Sequence, residues 1–348
     1  MQVTVGRALV PSFSRVDTPE EVAHYRAAIL AAYGTSGHGR QRGFPGCNPR
    51  SLSRADLKAI TPQSHVVGLK SDGVRYALFL TLRPGGGAVA LMIDRVFGMY
   101  EVEVVAPAEY FERTTLLEGE LVWQQPNEDQ MIYLVFDALV VKGTRLVGEP
   151  FATRLLAATR CTEHSATLAA HEDVESAACE ADTLVLVHFN PALTMRPKVF
   201  VASEHAPRLW AQRADMDHRV DGVIVHDNRA PYRVGTAKVG AVLKWKLHAT
   251  VDLQCDKDGW VCTPEGALPR TLYGRHVVLA ESKVGRDATT PLLEYLVRID
   301  AETIRLFAVR HRTDKDTANR METVRATVRD VIESVSIDEL GQCGAAVS

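Results

Sequence analysis

Residues 66–75 read VVGLKSDGVR, and within them Lys70-Ser71-Asp72-Gly73-Val74-Arg75 is the passage whose reading decides the fold. An apolar strand runs into a lysine, a turn dipeptide follows, and a second apolar strand, RYALFL, resumes at Arg75. In isolation Asp72-Gly73 is what an ordinary hairpin turn with charged flanks looks like. Read as chemistry, Lys70 is a nucleophile. Its amine must lose a proton, and neighbouring cations in a partly desolvated pocket would promote that by lowering its pKa.

Working outward, Val66 to Asp137 is a series of short β-rich runs (HVVGLK, RYALFL, AVALMID, YEVEVV, LLEGELVW, MIYLVFD) separated by turn residues, which predicts antiparallel sheet. Upstream, residues 18–33 space Val22, Tyr25, Ile29 and Tyr33 as one face of a helix behind a Thr-Pro-Glu start, and a Gly- and Pro-rich stretch follows over 34–50. Downstream, two helical stretches are expected in 150–181, then strands at TLVLVHF, PKVFVAS, DGVIVH and AVLKWKL. Beyond about residue 248 a second β-rich unit starts, with a turn at Lys257-Asp258-Gly259 and strands near HVVLAES, LEYLVRID and IRLFAV; its length suits an OB-type barrel. Met321, Val324, Val328, Val331 and Val335 then form an apolar stripe on a closing helix, a docking face.

The chain has 348 residues and 46% hydrophobic content, enough to bury the cores of two domains. A net charge of −3 despite 40 lysines and arginines means that any nucleic acid must be met by a local basic groove. The six cysteines form no CxxC pair and read as reduced thiols. The opening residues lack the apolar core of a signal peptide, and no run reaches membrane-spanning length, so a soluble, unsecreted protein without a membrane partner is expected.

Further charged elements follow Lys70 in a set order: Glu118-Gly119-Glu120, Phe136-Asp137, Asp221-Gly222, Lys244 and Lys246 in LKWK, and Arg312, Asp314 and Lys315 in RTDK. Lys244 and Lys246, two apart on a strand, share one face and could hold phosphate charge, though lysines flanking a buried Trp245 would look the same. Glu120 and Asp221 are candidates for a divalent metal or ribose hydroxyls, or are solvated turn carboxylates. By periodicity alone Phe136 belongs in a core.

In this order the KxDGxR, LxGE, YLxFD, DGxI, LKWK and RxDK elements, spread over residues 70–323, resemble the mRNA guanylyltransferases of the superfamily that also contains the DNA and RNA ligases. Phe44-Pro45-Gly46, the run Pro231 to Thr236 and RTDKDTANRMETV resemble the capping branch, with Arg50, Ala318 and Glu118 standing where Val, Pro and Asp are usual. The resemblance implies catalytic roles for Lys70, Lys244, Lys246, Arg312, Asp314 and Lys315. It implies nucleotide contacts from Arg75, Arg95, Glu120, Lys198 and a guanine-stacking Phe136, with Asp221 and Glu120 toward a metal, Mg or Mn.

It also implies an α+β architecture: an antiparallel-sheet, ATP-grasp-like nucleotidyltransferase domain over 1–247, then an OB-fold lid over 248–348 whose helix at 317–337 could dock back. GTP would be the substrate and 5′-diphosphate RNA the acceptor. An RNA 5′-triphosphatase, a cap methyltransferase and RNA polymerase would be partners, and the nucleus or a viral transcription site the location. The alternatives are an ATP-dependent polynucleotide ligase and a non-catalytic RNA- or polymerase-binding scaffold of the same fold.

Overall fold

The computed structural model describes residues 14–34, 44–126, 130–169, 173–187, 192–236, 242–256, 258–281, 284, 292–312 and 315–344. Asp314 and Lys257 lie outside these residues. Among the described residues the strands form an eight-stranded, a five-stranded and a seven-stranded sheet plus two small ones, with helices packed on them, a mixed α/β arrangement.

The eight-stranded sheet is built around Val74–Leu82, which pairs antiparallel with Ala88–Ile93 on one side and Thr115–Trp123 on the other; Gln130–Val141 follows outward. Alternate residues of Val74–Leu82 enter different cores. Leu78 and Leu80 join Met92, Leu117 and Tyr133 under helix Phe151–Thr162, whereas Ala77 and Phe79 join Leu91 and Leu116 under helix Pro19–Ala32 through Tyr25 and Ile29. Both faces are covered, which is why RYALFL reads as continuously apolar. Gly85 to Gly87 close the hairpin to Ala88–Ile93, where Arg83 N donates to Gly87 O.

The structure departs from the single antiparallel sheet expected over Val66 to Asp137. His65–Ser71 belongs to the five-stranded sheet, beside Val220–Asp227, which in turn pairs with Val242–Lys246. Asp72-Gly73 is therefore not a hairpin turn but the passage of the chain from one sheet to the other. The reason is steric as well as topological. A Cβ at Gly73 would stand 2.4 Å from Leu121 O, and one at Gly222 would stand 2.1 Å from Trp245 O, so both Asp-Gly pairs sit where backbones cross too closely for any other residue.

Other departures are local. Three helices rather than two occupy 150–181, at Phe151–Thr162, Ser165–Leu168 and Val174–Glu180. Ala192–Pro197 forms an unforeseen strand running parallel to Gln130–Val141, and of PKVFVAS only Pro197, the last residue of that strand, and Val201–Ala202 are strand. Pairings of residues distant in sequence leave no local signature.

The seven-stranded sheet spans residues 250–311, and its core of Val251, Leu253, Tyr295, Val297 and Leu306 is closed by Val324 and Val328 of helix Met321–Glu333. The apolar stripe thus splits. Val335 leaves it and, with Ile337, Leu340 and Cys343, packs against Trp210 and Trp245 of the five-stranded sheet's core, where Trp245 Nε1 donates to Val335 O at 2.8 Å. Arg54 joins the same seam, donating to Glu339 at 2.8 Å and to the Glu333 carbonyl at 2.8 Å. The six cysteines are all free thiols.

Leu340 is fully buried in this seam, so Leu340→Ala is expected to lower unfolding free energy by about 2–4 kcal/mol in a denaturant titration. A change within error would mean that the tail lies loosely on the domain.

Candidate active site

The eight-stranded and five-stranded sheets meet at a cleft of about 850 Å³ that is open to solvent. The strand carrying Lys70 and the strand carrying Ile224 and His226 form one wall. Arg75, Glu120 and Phe136, from three neighbouring strands of the larger sheet, form the other, and Arg95 and Lys198 complete it. Six of the residues singled out by sequence thus share one cavity.

Lys70 is held by a carboxylate. Its Nζ lies 2.9 Å from Asp221 Oδ1, and Asp221 Oδ2 lies 2.6 Å from Lys246 Nζ. The register explains this: Gly222 stands opposite Lys70 on one side and opposite Lys246 on the other, so Asp221 is poised between two lysines. Lys244 is half-buried on the same face of its strand, beside buried Leu243 and Trp245.

The expectation that cations lower the Lys70 pKa is corrected here. Burial works in that direction, but Asp221 and then Glu120 outweigh it, and the Lys70 pKa is raised. The same lysines, against the cost of burial, hold Asp221 below the usual carboxylate range. Lys244 and Lys198 behave as expected of buried amines: burial lowers both, and Lys246 and Lys70 lower Lys244 further.

On the opposite wall Arg75 donates to Glu118 Oε2 at 2.5 Å and to the Cys47 carbonyl. Glu118 is fully buried, and its other oxygen accepts from Tyr33 at 2.6 Å and Tyr232 at 2.8 Å. Arg75 is thereby fixed, with its guanidinium carbon 5.5 Å from the centre of the Phe136 ring. Phe136 itself is not a core residue. Val135 pairs with Gly119 and Asp137 with Glu118, so Phe136 is the extra residue of a bulge, which turns it into the cleft. Periodicity could not reveal this, because a bulge breaks the period. Arg95, an exposed residue lining the cleft, adds a second cation to this wall. Glu120 reaches Lys198 Nζ at 3.5 Å.

The distal cations are elsewhere. Arg312 Nη1 lies 2.7 Å from Asp252 Oδ1 and Lys315 pairs with Asp252 Oδ2, within the C-terminal unit; neither lines the cleft. Asp252 carried no motif signal. Also missed were the buried Asp137–Arg154 pair, 2.8 Å apart at the cleft, and His226, which stacks on Phe151 at 3.9 Å and which burial pushes down to about 3, so that it stays neutral. The sequence marked Asp137, but its arginine partner lies in an unremarkable helix.

Among the described residues no three metal-binding side chains converge. The carboxylates nearest Lys70 that could hold a divalent cation are Glu120, which lines the cleft, and Asp221, which pairs with Lys70; both offer the hard oxygens such an ion takes.

Residues 10–248 match the family model described as mRNA capping enzyme, catalytic domain. The chain belongs to this family. The chain is 25% identical over 318 residues to the mRNA-capping enzyme of Caenorhabditis elegans, covering 85% of this chain and 48% of that protein, so this chain spans about half of its length. It is 27% identical over 336 residues to mRNA-capping enzyme subunit alpha of Schizosaccharomyces pombe, covering 85% of this chain and 79% of that one. A solved mycobacterial DNA ligase D complexed with ATP and MES is similar at a TM-score of 0.43 and 13% identity, covering 78% of this chain and 95% of that one.

The Asp221 clasp makes a prediction. In Asp221→Asn the largest raising influence is removed while burial and Glu120 stay, so the Lys70 pKa should fall. Titration of the ¹³C-methylated lysines by NMR checks this; an unchanged Lys70 pKa would mean that Asp221 is not what holds its proton.

Proposed function

We propose that the chain is an mRNA guanylyltransferase in which the Lys70 amine attacks the α-phosphorus of GTP. Pyrophosphate departs, leaving a Lys70–GMP phosphoramidate, and the GMP then passes to the 5′-diphosphate end of an RNA to make the GpppN cap. The observation that carries this reading is a lysine at the wall of a cleft with Lys198, Arg75 and Arg95 around it and Lys244 and Lys246 two strands away in the same sheet, across Val220–Asp227. That surplus of cations suits a triphosphate whose charge grows as pyrophosphate leaves. Arg75 takes the sugar edge and Phe136 stacks on the guanine, with Arg95 and Lys198 as further nucleotide contacts.

Before it attacks, Lys70 must give up the proton that Asp221 stabilises. Glu120 and Asp221 would hold a divalent metal. Such an ion would supply charge neutralisation for the phosphates, and Asp221, in binding it, would loosen its hold on Lys70.

Residues 248–348 act as an OB-type lid over the nucleotidyltransferase domain 1–247. Closing it brings Arg312 and Lys315, with Asp314 orienting them, to the β and γ phosphates, and opening it releases product. Among the described residues no helix is long and apolar enough to cross a membrane. An RNA 5′-triphosphatase supplies the diphosphate end, a cap methyltransferase follows, and RNA polymerase brings the transcript, at the cell's or a virus's site of transcription, the nucleus in a cell.

Incubation with α-labelled GTP or ATP and Mg or Mn tests the reading. Label from GTP alone, acid-labile and absent in Lys70→Ala, is expected, and loss of Asp221 or Glu120 should slow labelling about 10²-fold. Labelling by ATP would make the chain a ligase. No label from either would leave a scaffold.

The lid makes its own prediction. Arg312→Ala and Lys315→Ala should slow loading about 10²-fold, while preloaded enzyme freed of GTP should cap RNA at nearly the normal rate in a single-turnover chase. Equal slowing of both steps would make the segment structural.

A further inference from the structure

A chain of side-chain hydrogen bonds runs from the surface into the cleft. Asp217 Oδ1 lies 3.1 Å from His218 Nδ1, His218 Nε2 lies 3.1 Å from Ser71 Oγ, and Lys198 Nζ donates to Ser71 Oγ at 3.2 Å. Ser71 has no exposed surface and His218 is 5% exposed, whereas Asp217 is half-buried and also accepts from Arg196 at 2.7 Å. The backbone around the histidine is pinned to both sides of the cleft: Gln125 N donates to Asp217 O at 2.6 Å and Asp72 N donates to Arg219 O at 2.8 Å.

The proton positions along this chain follow from its ends. An ammonium can only donate, so Ser71 Oγ accepts from Lys198 and its own hydrogen must find a lone pair. That lone pair is His218 Nε2, which requires the neutral imidazole with its proton on Nδ1, where the Asp217 carboxylate takes it. Burial favours the same state by lowering the His218 pKa, against the pull of Asp217. Carboxylate, imidazole and hydroxyl in this order are also the parts of a hydrolytic triad. Ser71 cannot serve as a nucleophile, however, because it meets no solvent and its oxygen is already occupied by an ammonium.

What the chain does is aim a lysine. The Lys198 side chain is 8% exposed, and its ammonium sits between Ser71 and Glu120, the latter 3.5 Å away. A lysine is a point charge on four rotatable bonds, and a carboxylate at that distance restrains it without directing it; a hydroxyl whose own hydrogen is committed supplies the direction. Resting on the guanylyltransferase reading, we propose that His218 is a positioning residue that acts through Ser71 to fix Lys198 in the cleft, and so sets the rate at which Lys70 takes up GMP.

The two amide replacements of histidine separate its two contacts. His218→Gln can offer an acceptor near the Nε2 position and keep Ser71 oriented, whereas His218→Asn reaches only the Asp217 side. Single-turnover labelling at saturating GTP is expected to fall about tenfold or more in His218→Asn and in Ser71→Ala, and to stay near the wild-type rate in His218→Gln. Neither loss should add to that of Lys198→Ala, since both act through the same ammonium. Melting curves identify any variant that fails to fold, and Ser71→Ala, which only removes an oxygen, provides a route independent of the histidine. Equal losses in His218→Asn and His218→Gln, wild-type rates in His218→Asn, or additivity with Lys198→Ala would overturn the proposal. A wild-type protein that takes no label from GTP would overturn the guanylyltransferase reading instead. In that event the ¹³C-methylated Lys198 resonance still decides the positioning role: it should shift in His218→Asn and Ser71→Ala but not in His218→Gln, and a resonance unmoved in all three would overturn it.

Discussion

The contact on which the site depends is the ion pair between Lys70 and Asp221, shared with Lys246. Three strands must lie in one register for it to form, and each of the two Asp-Gly pairs permits a crossing that a side chain would block. The pair also sets the chemistry. An amine surrounded by cations alone would be a ready nucleophile at any time, whereas one clasped by a carboxylate keeps its proton until something competes for the clasp. In the proposed reaction a divalent ion taken up by Asp221 would be that competitor and would free the amine.

The opposite wall is organised by a different carboxylate. Glu118 never meets solvent, yet through Arg75 it fixes the group facing Phe136, and through Tyr33 it ties the N-terminal helix region to the cleft. A buried carboxylate held by an arginine and two tyrosines has both oxygens hydrogen-bonded, which is what makes such a network rigid. Asp252 does the equivalent in the C-terminal unit, where it gathers Arg312 and Lys315.

Much of this was legible in the residues. The charged motifs named Lys70, Arg75, Glu120 and Phe136, which line the cleft, and the strand-rich segments before Asp137 and after residue 248 were visible as such. What escaped was whatever depends on pairing at a distance. Val66 to Asp137 looks like one sheet because each strand is locally apolar, but nothing local says that His65–Ser71 pairs with residues 150 positions later. Phe136 looked like core because a bulge is invisible to a period of two. The Lys70 pKa was misjudged for a related reason: the sequence gives the cations of LKWK, but only the register puts Asp221 between them and Lys70. His218, Asp252 and Arg154 carry no motif at all and owe their place to partners far along the chain.

The account stands on GMP moving from Lys70 to an RNA end that bears two phosphates. Enzyme loaded with labelled GMP and freed of GTP, then mixed with otherwise identical RNAs ending in one or two 5′ phosphates, tests it most directly. The account predicts that label leaves Lys70 for the diphosphate RNA alone and is recovered after nuclease digestion as GpppN. Label retained on the enzyme in the presence of the diphosphate RNA, or transferred equally to the monophosphate end, would contradict it.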